Sequence, residues 1–259
     1  MLGLFGSKTA AQTPQHTSTP ARAPEGMRIY AVGDIHGRLD CLNDLIAQIE
    51  RDREDFSGRC ILVTLGDYID RGPHSREVVE RLMNPLPADI ESVCLMGNHE
   101  QALLRYFSDQ PPLPGWLLYG GLQTLASYRI PYEHGTPSPE RLERLKHLLR
   151  EHFPQDHLDW IRRRPTYAEF GDYYFVHAGV NPSEPLHEQT DNWRLWIRDH
   201  FLHHPHPLEK IIVHGHTISP EPELLHHRIG LDTGAYASGR LTALVLEQDQ
   251  RRVLQTSIT

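Results

Sequence analysis

Cysteine, long apolar runs and an excess of basic charge are all scarce or missing in this sequence. The three cysteines are odd in number and form no CxxC pair, which leaves no disulfide framework to expect and predicts a reduced, cytoplasmic protein. No apolar run approaches the roughly 20 residues that a membrane-spanning helix needs. The 34 acidic and 26 basic side chains give a net charge of −8. That balance gives no electrostatic reason to expect nucleic acid or a membrane as a partner.

A length of 259 residues suits one large domain. Residues 1–26 are rich in Thr, Pro, Ala and Gln, and this composition predicts a disordered N-terminal tail. Residues 27–259 are then expected to form one folded domain.

The first half of that domain alternates between two kinds of element. Apolar runs rich in β-branched residues predict strands at 28–32, 60–65 and 90–96. Apolar residues at helical spacing predict helices at 39–53, 75–83 and 99–107. Alternating strands and helices predict an α/β layered fold.

The middle and the end of the chain differ from this pattern. Helical patterns at 116–128, at 156–163 and from Pro139 to Phe153 predict a helical insertion over about 101–165, placed to cover a site and select a substrate. A hairpin at 166–170 and 173–177, a helix at 193–201 and strands at 210–214, 227–231 and 240–247 follow. We therefore expect two mixed sheets packed face to face, with helices outside.

Polar side chains recur at glycine turns that follow apolar runs. The five sets are Gly33-Asp34-Ile35-His36-Gly37, Gly66-Asp67-Tyr68-Ile69-Asp70-Arg71-Gly72, Gly97-Asn98-His99-Glu100, His177-Ala178-Gly179 and His214-Gly215-His216-Thr217. One such set alone is a weak signal, because Asp and Gly are ordinary turn residues. Five sets, each at the end of a predicted strand, indicate a site for two metal ions.

Mixed carboxylate, imidazole and amide ligands suit divalent ions such as Mn²⁺, Fe²⁺ and Zn²⁺. Asp34 and His36 are expected to bind one ion, with Asp67 bridging to a second. Asn98, His177 and His216 would complete the second site. Two such ions, about 3.5–4 Å apart, would share a hydroxide that attacks phosphorus in line.

The first three sets resemble the signatures of the phosphoprotein phosphatases, the dinuclear serine/threonine phosphatases among the calcineurin-like metallophosphoesterases. His177 and Gly215-His216-Thr217 fit the remaining metal-binding histidines of that family, and the order of the sets is the same. The resemblance covers about residues 27–247. The short insertion and the absence of regulatory extensions resemble the bacterial and phage members of the family. The resemblance implies a calcineurin-like fold and a metallophosphoesterase catalytic domain, with Asp34, His36 and Asp67 binding metal one and Asp67, Asn98, His177 and His216 binding metal two.

The resemblance also implies the groups that act on the substrate. His99 would protonate the leaving alkoxide, and Asp70 would orient the His99 ring. Arg71 and Asn98 would bind the phosphate, and a forked guanidinium matches phosphate oxygens well. A second phosphate-binding arginine is expected at Arg198 in preference to Arg194.

Three functions remain open at this point. The favoured one is a metal-dependent phosphomonoesterase of the serine/threonine protein phosphatase type, with Mn²⁺ preferred over Fe or Zn. Its partner would be a phosphorylated protein or a small phosphoester. One alternative is a hydrolase of bis(5'-nucleosyl)-tetraphosphates or other nucleotides, although symmetrical enzymes of that kind typically carry Gln where His36 stands. The other is an inactive scaffold that binds phosphorylated partners.

Two further residues near these sets need an interpretation. His214 alternates with His216 along the predicted strand end, and it is not expected to be a ligand. Asp232 is expected to be a turn residue or a partner of a metal-binding histidine.

Overall fold

Ten strands in the described chain form two five-stranded sheets. The computed structural model describes residues 20–84, 90–113, 115–132 and 138–258. The strands are β1 (Met27–Val32), β2 (Arg59–Thr64), β3 (Ile90–Cys94), β4 (Tyr167–Phe170), β5 (Tyr173–Val176), β6 (Ile211–His214), β7 (Glu223–Leu224), β8 (Arg228–Gly230), β9 (Thr242–Glu247) and β10 (Gln250–Gln255). The strand orders are β10-β9-β1-β2-β3 and β4-β5-β6-β8-β7.

Parallel pairing gathers the strand ends that carry the polar turns. In the first sheet β1 pairs with β2 and β2 with β3 in parallel, and in the second β5, β6 and β8 are parallel neighbours. The carboxyl ends of parallel strands meet at one edge of a sheet. The turns that follow β1, β2, β3, β5 and β6 therefore open on the same region, and both sheets are mixed because antiparallel strands complete them.

The two sheets pack face to face through alternate residues of their strands. Ile29 and Ala31 of β1 belong to a buried cluster that also contains Phe175 of β5 and Val213 of β6. Tyr30, between them, belongs to a second cluster on the helical side of the first sheet. Successive side chains of a strand point to opposite faces, so β1 contributes to both clusters. The predicted pair of packed sheets is confirmed.

Helices cover the outer faces. They are α1 (Leu39–Asp52), α2 (Ser75–Met83), α3 (Asn98–Leu104), α4 (Leu122–Ser127), α5 (Pro139–His152), α6 (Gln155–Arg162), α7 (Asp191–Trp196), α8 (Asp199–Leu202) and α9 (Ala235–Ser238). Between residues 101 and 165 the described chain contains helices and no strand, and a helical turn at Leu117–Gly121 leads directly into α4. Residues 114 and 133–137 of the predicted insertion lie outside the described residues.

Several elements differ from the sequence prediction. The predicted helix over 193–201 is divided into α7 and α8, because the backbone leaves the helical region at Ile197 and Arg198. The strand β10 was missed: its sequence, QRRVLQ, has too few apolar residues to show a strand pattern.

The start of the folded domain lies ahead of the predicted boundary at residue 27. Residues 1–19 of the predicted tail lie outside the described residues. The backbone N–H of Arg22 donates to the carboxylate of Asp172 at 2.8 Å, and that of Ala23 donates to the carbonyl of Gln248, also at 2.8 Å. Ala23 is buried in the cluster between the sheets. Among the described helices, none has the length and apolar character needed to cross a membrane.

Candidate active site

Asp67 lies at the centre of the candidate site, with histidines on both sides. One carboxylate oxygen is 3.4 Å from Nε2 of His36, and the other is 3.5 Å from Nε2 of His177. These three side chains come from the turns after β2, β1 and β5, so both sheets contribute to the site. This placement of its two oxygens is compatible with the prediction that Asp67 bridges two ions.

A compact group of donor atoms lies on the His177 side of Asp67. Oδ1 of Asn98 is 2.7 Å from Nε2 of His177 and 2.8 Å from Nδ1 of His216, and the two histidine nitrogens are 3.2 Å apart. With Asp67, these residues are the four ligands predicted for the second ion. His214 lies outside this group, with Nδ1 3.1 Å from the carbonyl oxygen of Gly215 and its ring edge-on to Phe201.

The group on the other side of Asp67 differs from the predicted one. Donor atoms of His36, Asp67 and His99 lie within 4.8 Å of one another. The predicted ligand set for this ion contains Asp34 instead of His99. The carboxylate of Asp34 accepts the backbone N–H of His216, at 3.1 Å to each oxygen.

The side chains of both groups fit divalent metal ions. Nε2 of His36 and Nε2 of His216 are buried without a hydrogen-bond partner in the described chain. Nδ1 of His36 is 2.8 Å from the carbonyl oxygen of Ile69, and Nδ1 of His177 is 2.9 Å from that of Leu65. Such contacts fix the ring so that the other nitrogen faces the ion. Divalent ions held here would polarise phosphoryl oxygens and activate water.

Burial sets the protonation states that metal binding needs. It lowers the pKa of His36 to about 3 and that of His216 to about 2, and it also lowers the pKa of His177. Neutral imidazole is the form that binds a metal ion. Burial by itself would raise the pKa of Asp67, but the neighbouring histidines outweigh it and hold that pKa below its ordinary value.

The backbone of the site is held in unusual conformations. Five non-glycine residues of the site have positive φ angles: His36 (45°), Asp67 (53°), Asp70 (72°), Arg71 (67°) and His216 (64°). Each such residue costs on the order of 1–3 kcal/mol, so the surrounding structure must enforce it.

Glu100 supplies part of that enforcement. Its fully buried carboxylate accepts the backbone N–H groups of Asp67 at 2.9 Å, Tyr68 at 2.8 Å and Gly97 at 3.0 Å. It therefore ties the turn after β2 to the turn after β3. The sequence analysis gave Glu100 no role of its own.

His99 and Asp70 form a buried hydrogen-bonded pair. Nδ1 of His99 is 2.6 Å from a carboxylate oxygen of Asp70. Burial lowers the pKa of His99, but the carboxylates of Asp67 and Asp70 outweigh burial and raise it to about 9. Nε2 of His99 is 3.3 Å from the guanidinium of Arg71 and faces the cavity that Arg71 lines.

The two candidate arginines occupy different environments. Arg198 lines the cavity beside the metal-ligand groups, and its guanidinium donates to the carbonyl of His216 at 3.2 Å and to Thr217 at 3.1 Å. Arg194 is buried away from the cavity, donates to the hydroxyl of Tyr174 at 3.0 Å and stacks over Tyr167. This placement favours Arg198 as the phosphate ligand.

Arg198→Ala should raise the KM for a phosphoester substrate by roughly tenfold to a hundredfold, because charge-assisted hydrogen bonds to phosphate contribute about 1.5–3 kcal/mol. Arg194→Ala is the matched control, and it should lower the melting temperature while KM stays near the wild-type value. Steady-state kinetics and thermal unfolding of both variants test this. Wild-type kinetics in Arg198→Ala would disprove the role of Arg198, and a raised KM in Arg194→Ala would transfer it to Arg194.

Asp232 is a buried residue of this site whose role the sequence left open. One carboxylate oxygen accepts the backbone N–H of Gly234 at 2.9 Å, as a turn residue would, and the other has no partner in the described chain. Burial and the charges of Asp232 and Asp67 raise the pKa of Asp34 well above its ordinary value. Asp232 therefore acts as a turn residue and also raises the pKa of Asp34.

Trp116, Thr124 and Tyr236 were not singled out from the sequence. Trp116 and Thr124 donate to the Asp70 carboxylate, and Tyr236 lies over the guanidinium of Arg71 at 4.8 Å. Trp116 and Thr124 lie in the helical pattern predicted at 116–128, which gave neither of them a role in the site. Only the tertiary fold brings all three to the site.

Comparison with known proteins gives a consistent family assignment and several different activities. The chain is 28% identical over 242 residues to the asymmetrical bis(5'-nucleosyl)-tetraphosphatase PrpE of Oceanobacillus iheyensis, covering 84% of this chain and 88% of the relative. A crystal structure of a putative diadenosine tetraphosphatase superposes with a TM-score of 0.60 at 20% identity, covering 90% of this chain and 95% of the other. A cold-active protein tyrosine phosphatase superposes with a TM-score of 0.56 at 17% identity, covering 94% and 87%.

The two solved structures support the fold. Residues 27–237 match the family described as Calcineurin-like phosphoesterase. That match spans most of the chain, including all five polar turns. The protein belongs to the calcineurin-like phosphoesterases and is a metallophosphoesterase.

Proposed function

We propose that this protein hydrolyses dinucleoside polyphosphates, as a bis(5'-nucleosyl)-tetraphosphatase. This was the alternative in the sequence prediction, and the named relatives favour it over a serine/threonine protein phosphatase. The structural observation that carries the proposal is a pair of aromatic-lined cavities that meet at Arg71 and Tyr119 beside the metal-ligand groups.

The first cavity has the size and lining of a nucleoside site. Its volume is about 440 Å³, and its walls include Trp116, Tyr119 and Trp196 together with Arg198. Aromatic side chains stack on nucleobases, and each stacked base contributes about 1–3 kcal/mol. Arg198 and Arg71 reach the same cavity and would bind the phosphates nearest to that nucleoside.

The second cavity shares Arg71 and Tyr119 with the first. Its volume is about 490 Å³, and its lining includes Arg71, Leu118 and Tyr236. Leu118 and Tyr119 are 80% and 68% exposed, an unusual display of large apolar side chains next to a polar site. A substrate with a base at each end and phosphates between them would use both cavities and place the phosphates on Arg71.

His99 and Asp70 favour a second candidate function, the hydrolysis of alkyl phosphoesters such as phosphoserine. A serine alkoxide is a poor leaving group and needs a proton donor, and the Asp70 carboxylate 2.6 Å from Nδ1 of His99 raises the pKa of that donor. A phosphoanhydride has a better leaving group and depends less on proton donation. The same site therefore has the groups for both reactions, and the substrate must be decided by assay.

The test compares substrates for one enzyme preparation with added Mn²⁺. We expect the kcat/KM for diadenosine tetraphosphate to exceed that for phosphoserine, phosphothreonine and phosphotyrosine peptides, with ATP and AMP as products. Chromatography of the products distinguishes this cleavage from a symmetrical one, which yields two ADP. Asp34→Asn serves as the control for contaminating phosphatases. A higher kcat/KM for the peptides would overturn the proposal in favour of the protein phosphatase function.

A further inference from the structure

The carboxylate of Asp70 is held by two residues of the helical insertion as well as by His99. Nε1 of Trp116 donates to the same carboxylate oxygen as the His99 ring, at 2.7 Å, and the hydroxyl of Thr124 donates to the other oxygen at 2.5 Å. Asp70, Thr124 and Trp116 are all buried. A buried carboxylate with three donors in different directions has one orientation available to it.

Thr124 holds the backbone of Asp70 in addition to its side chain. The backbone N–H of Asp70 donates to the Thr124 hydroxyl at 2.9 Å and to the Ser75 hydroxyl at 3.0 Å. Asp70 has a φ angle of 72°, a conformation that non-glycine residues rarely adopt. The hydroxyl of Thr124 therefore holds both the backbone N–H and the carboxylate of Asp70.

The insertion is also attached to the neighbouring Arg71. The backbone N–H of Arg71 donates to the carbonyl of Gly120 at 3.2 Å. Gly120 has a φ angle of 116°, and a Cβ at this position would collide with the backbone of Arg71. Trp116, Gly120 and Thr124 thus contact Asp70 and Arg71 from a segment whose other residues, Leu118 and Tyr119, line the cavities.

We propose that Trp116 and Thr124 are positioning residues for proton donation by His99. They fix the Asp70 carboxylate, which fixes the His99 ring with Nε2 toward the leaving group. The insertion that forms the walls of the substrate cavities thereby also sets how poor a leaving group the enzyme can expel. This proposal depends on His99 as the proton donor and is independent of which phosphoester is the natural substrate.

The experiment measures kcat/KM for a series of aryl phosphates from 2,4-dinitrophenyl phosphate to phenyl phosphate, with added Mn²⁺. Trp116→Phe removes the indole hydrogen bond to the Asp70 carboxylate. Thr124→Val removes both hydrogen bonds that the hydroxyl makes to Asp70, at nearly unchanged side-chain volume. We expect each to lose roughly tenfold with phenyl phosphate and less than about twofold with the dinitrophenyl ester, since good leaving groups need little proton donation. In both variants kcat/KM should depend more steeply on the pKa of the leaving group than in the wild type, and His99→Asn should show the same change.

Thr124→Ser is the matched control, because it keeps the hydroxyl and should restore the wild-type dependence. Equal losses across the whole series, or a Thr124→Ser variant as impaired as Thr124→Val, would show a merely structural role and overturn the proposal. Thermal unfolding identifies a variant that fails to fold. The two variants change different residues that contact Asp70, so one folded variant is sufficient. If kcat/KM of His99→Asn depended on the pKa of the leaving group no more steeply than that of the wild type, His99 would not be the donor. This outcome is separate from the choice of substrate.

Discussion

Replacing His99 by asparagine should lower turnover of alkyl phosphates by roughly 10²–10⁴-fold, the usual contribution of a general acid. The loss arises because Nε2 of His99 is directed toward the cavity, while Nδ1 is 2.6 Å from Asp70. Asparagine is polar and small enough to fit at this position. Its amide cannot act as a general acid, because it does not release a proton near neutral pH. Cleavage of phosphoanhydrides should fall less, since their leaving groups are better.

The metal content of His99→Asn decides between two interpretations of this residue. His99 lies in a group with His36 and Asp67 that could hold an ion, although the family resemblance assigns that place to Asp34. If His99 is the acid, the variant retains both ions, as measured by elemental analysis after dialysis. If one ion is lost together with activity, His99 is a ligand and the acid assignment is wrong. Asp34→Asn provides the comparison, because it should lose one ion.

The sequence contained most of the information about which polar residues meet. Asp34, Asp67 and His177 each follow an apolar strand run at a glycine turn, and this local pattern survives in the fold because parallel strands bring their carboxyl ends together. The order of the strands within each sheet could not be predicted, since β7 and β10 carry no clear strand pattern. The face-to-face packing was predictable from the strand-rich second half.

The support of the site was less predictable than its ligands. Trp116 and Thr124 lie in a predicted helical segment, and nothing local indicates that Asp70, far away in the sequence, receives their hydrogen bonds. The break at Arg198 was missed for a related reason. Its helical flanks predict one helix, but the break leaves the guanidinium beside His216. Tertiary contacts override local propensity at such positions.

Replacing Asp67 by asparagine should weaken both metal sites at once. One oxygen of Asp67 faces His36 at 3.4 Å and the other faces His177 at 3.5 Å, so both groups lose a carboxylate ligand. Asparagine has nearly the same shape and offers one neutral oxygen in place of two sharing a negative charge. That oxygen can still accept the backbone N–H of His99, which donates to Asp67 at 3.1 Å, so the turn should remain folded.

We expect Asp67→Asn to bind each ion at least 10–100-fold more weakly, the range seen when even the outer partners of metal ligands are changed. Equilibrium dialysis with Mn²⁺ counts the ions and measures their affinities. Asp34→Asn and Asn98→Ala are the matched controls, since each should weaken one site and spare the other. A variant that retains two tightly held ions would disprove the bridging role of Asp67. Weakening of one site alone would assign Asp67 to a single ion.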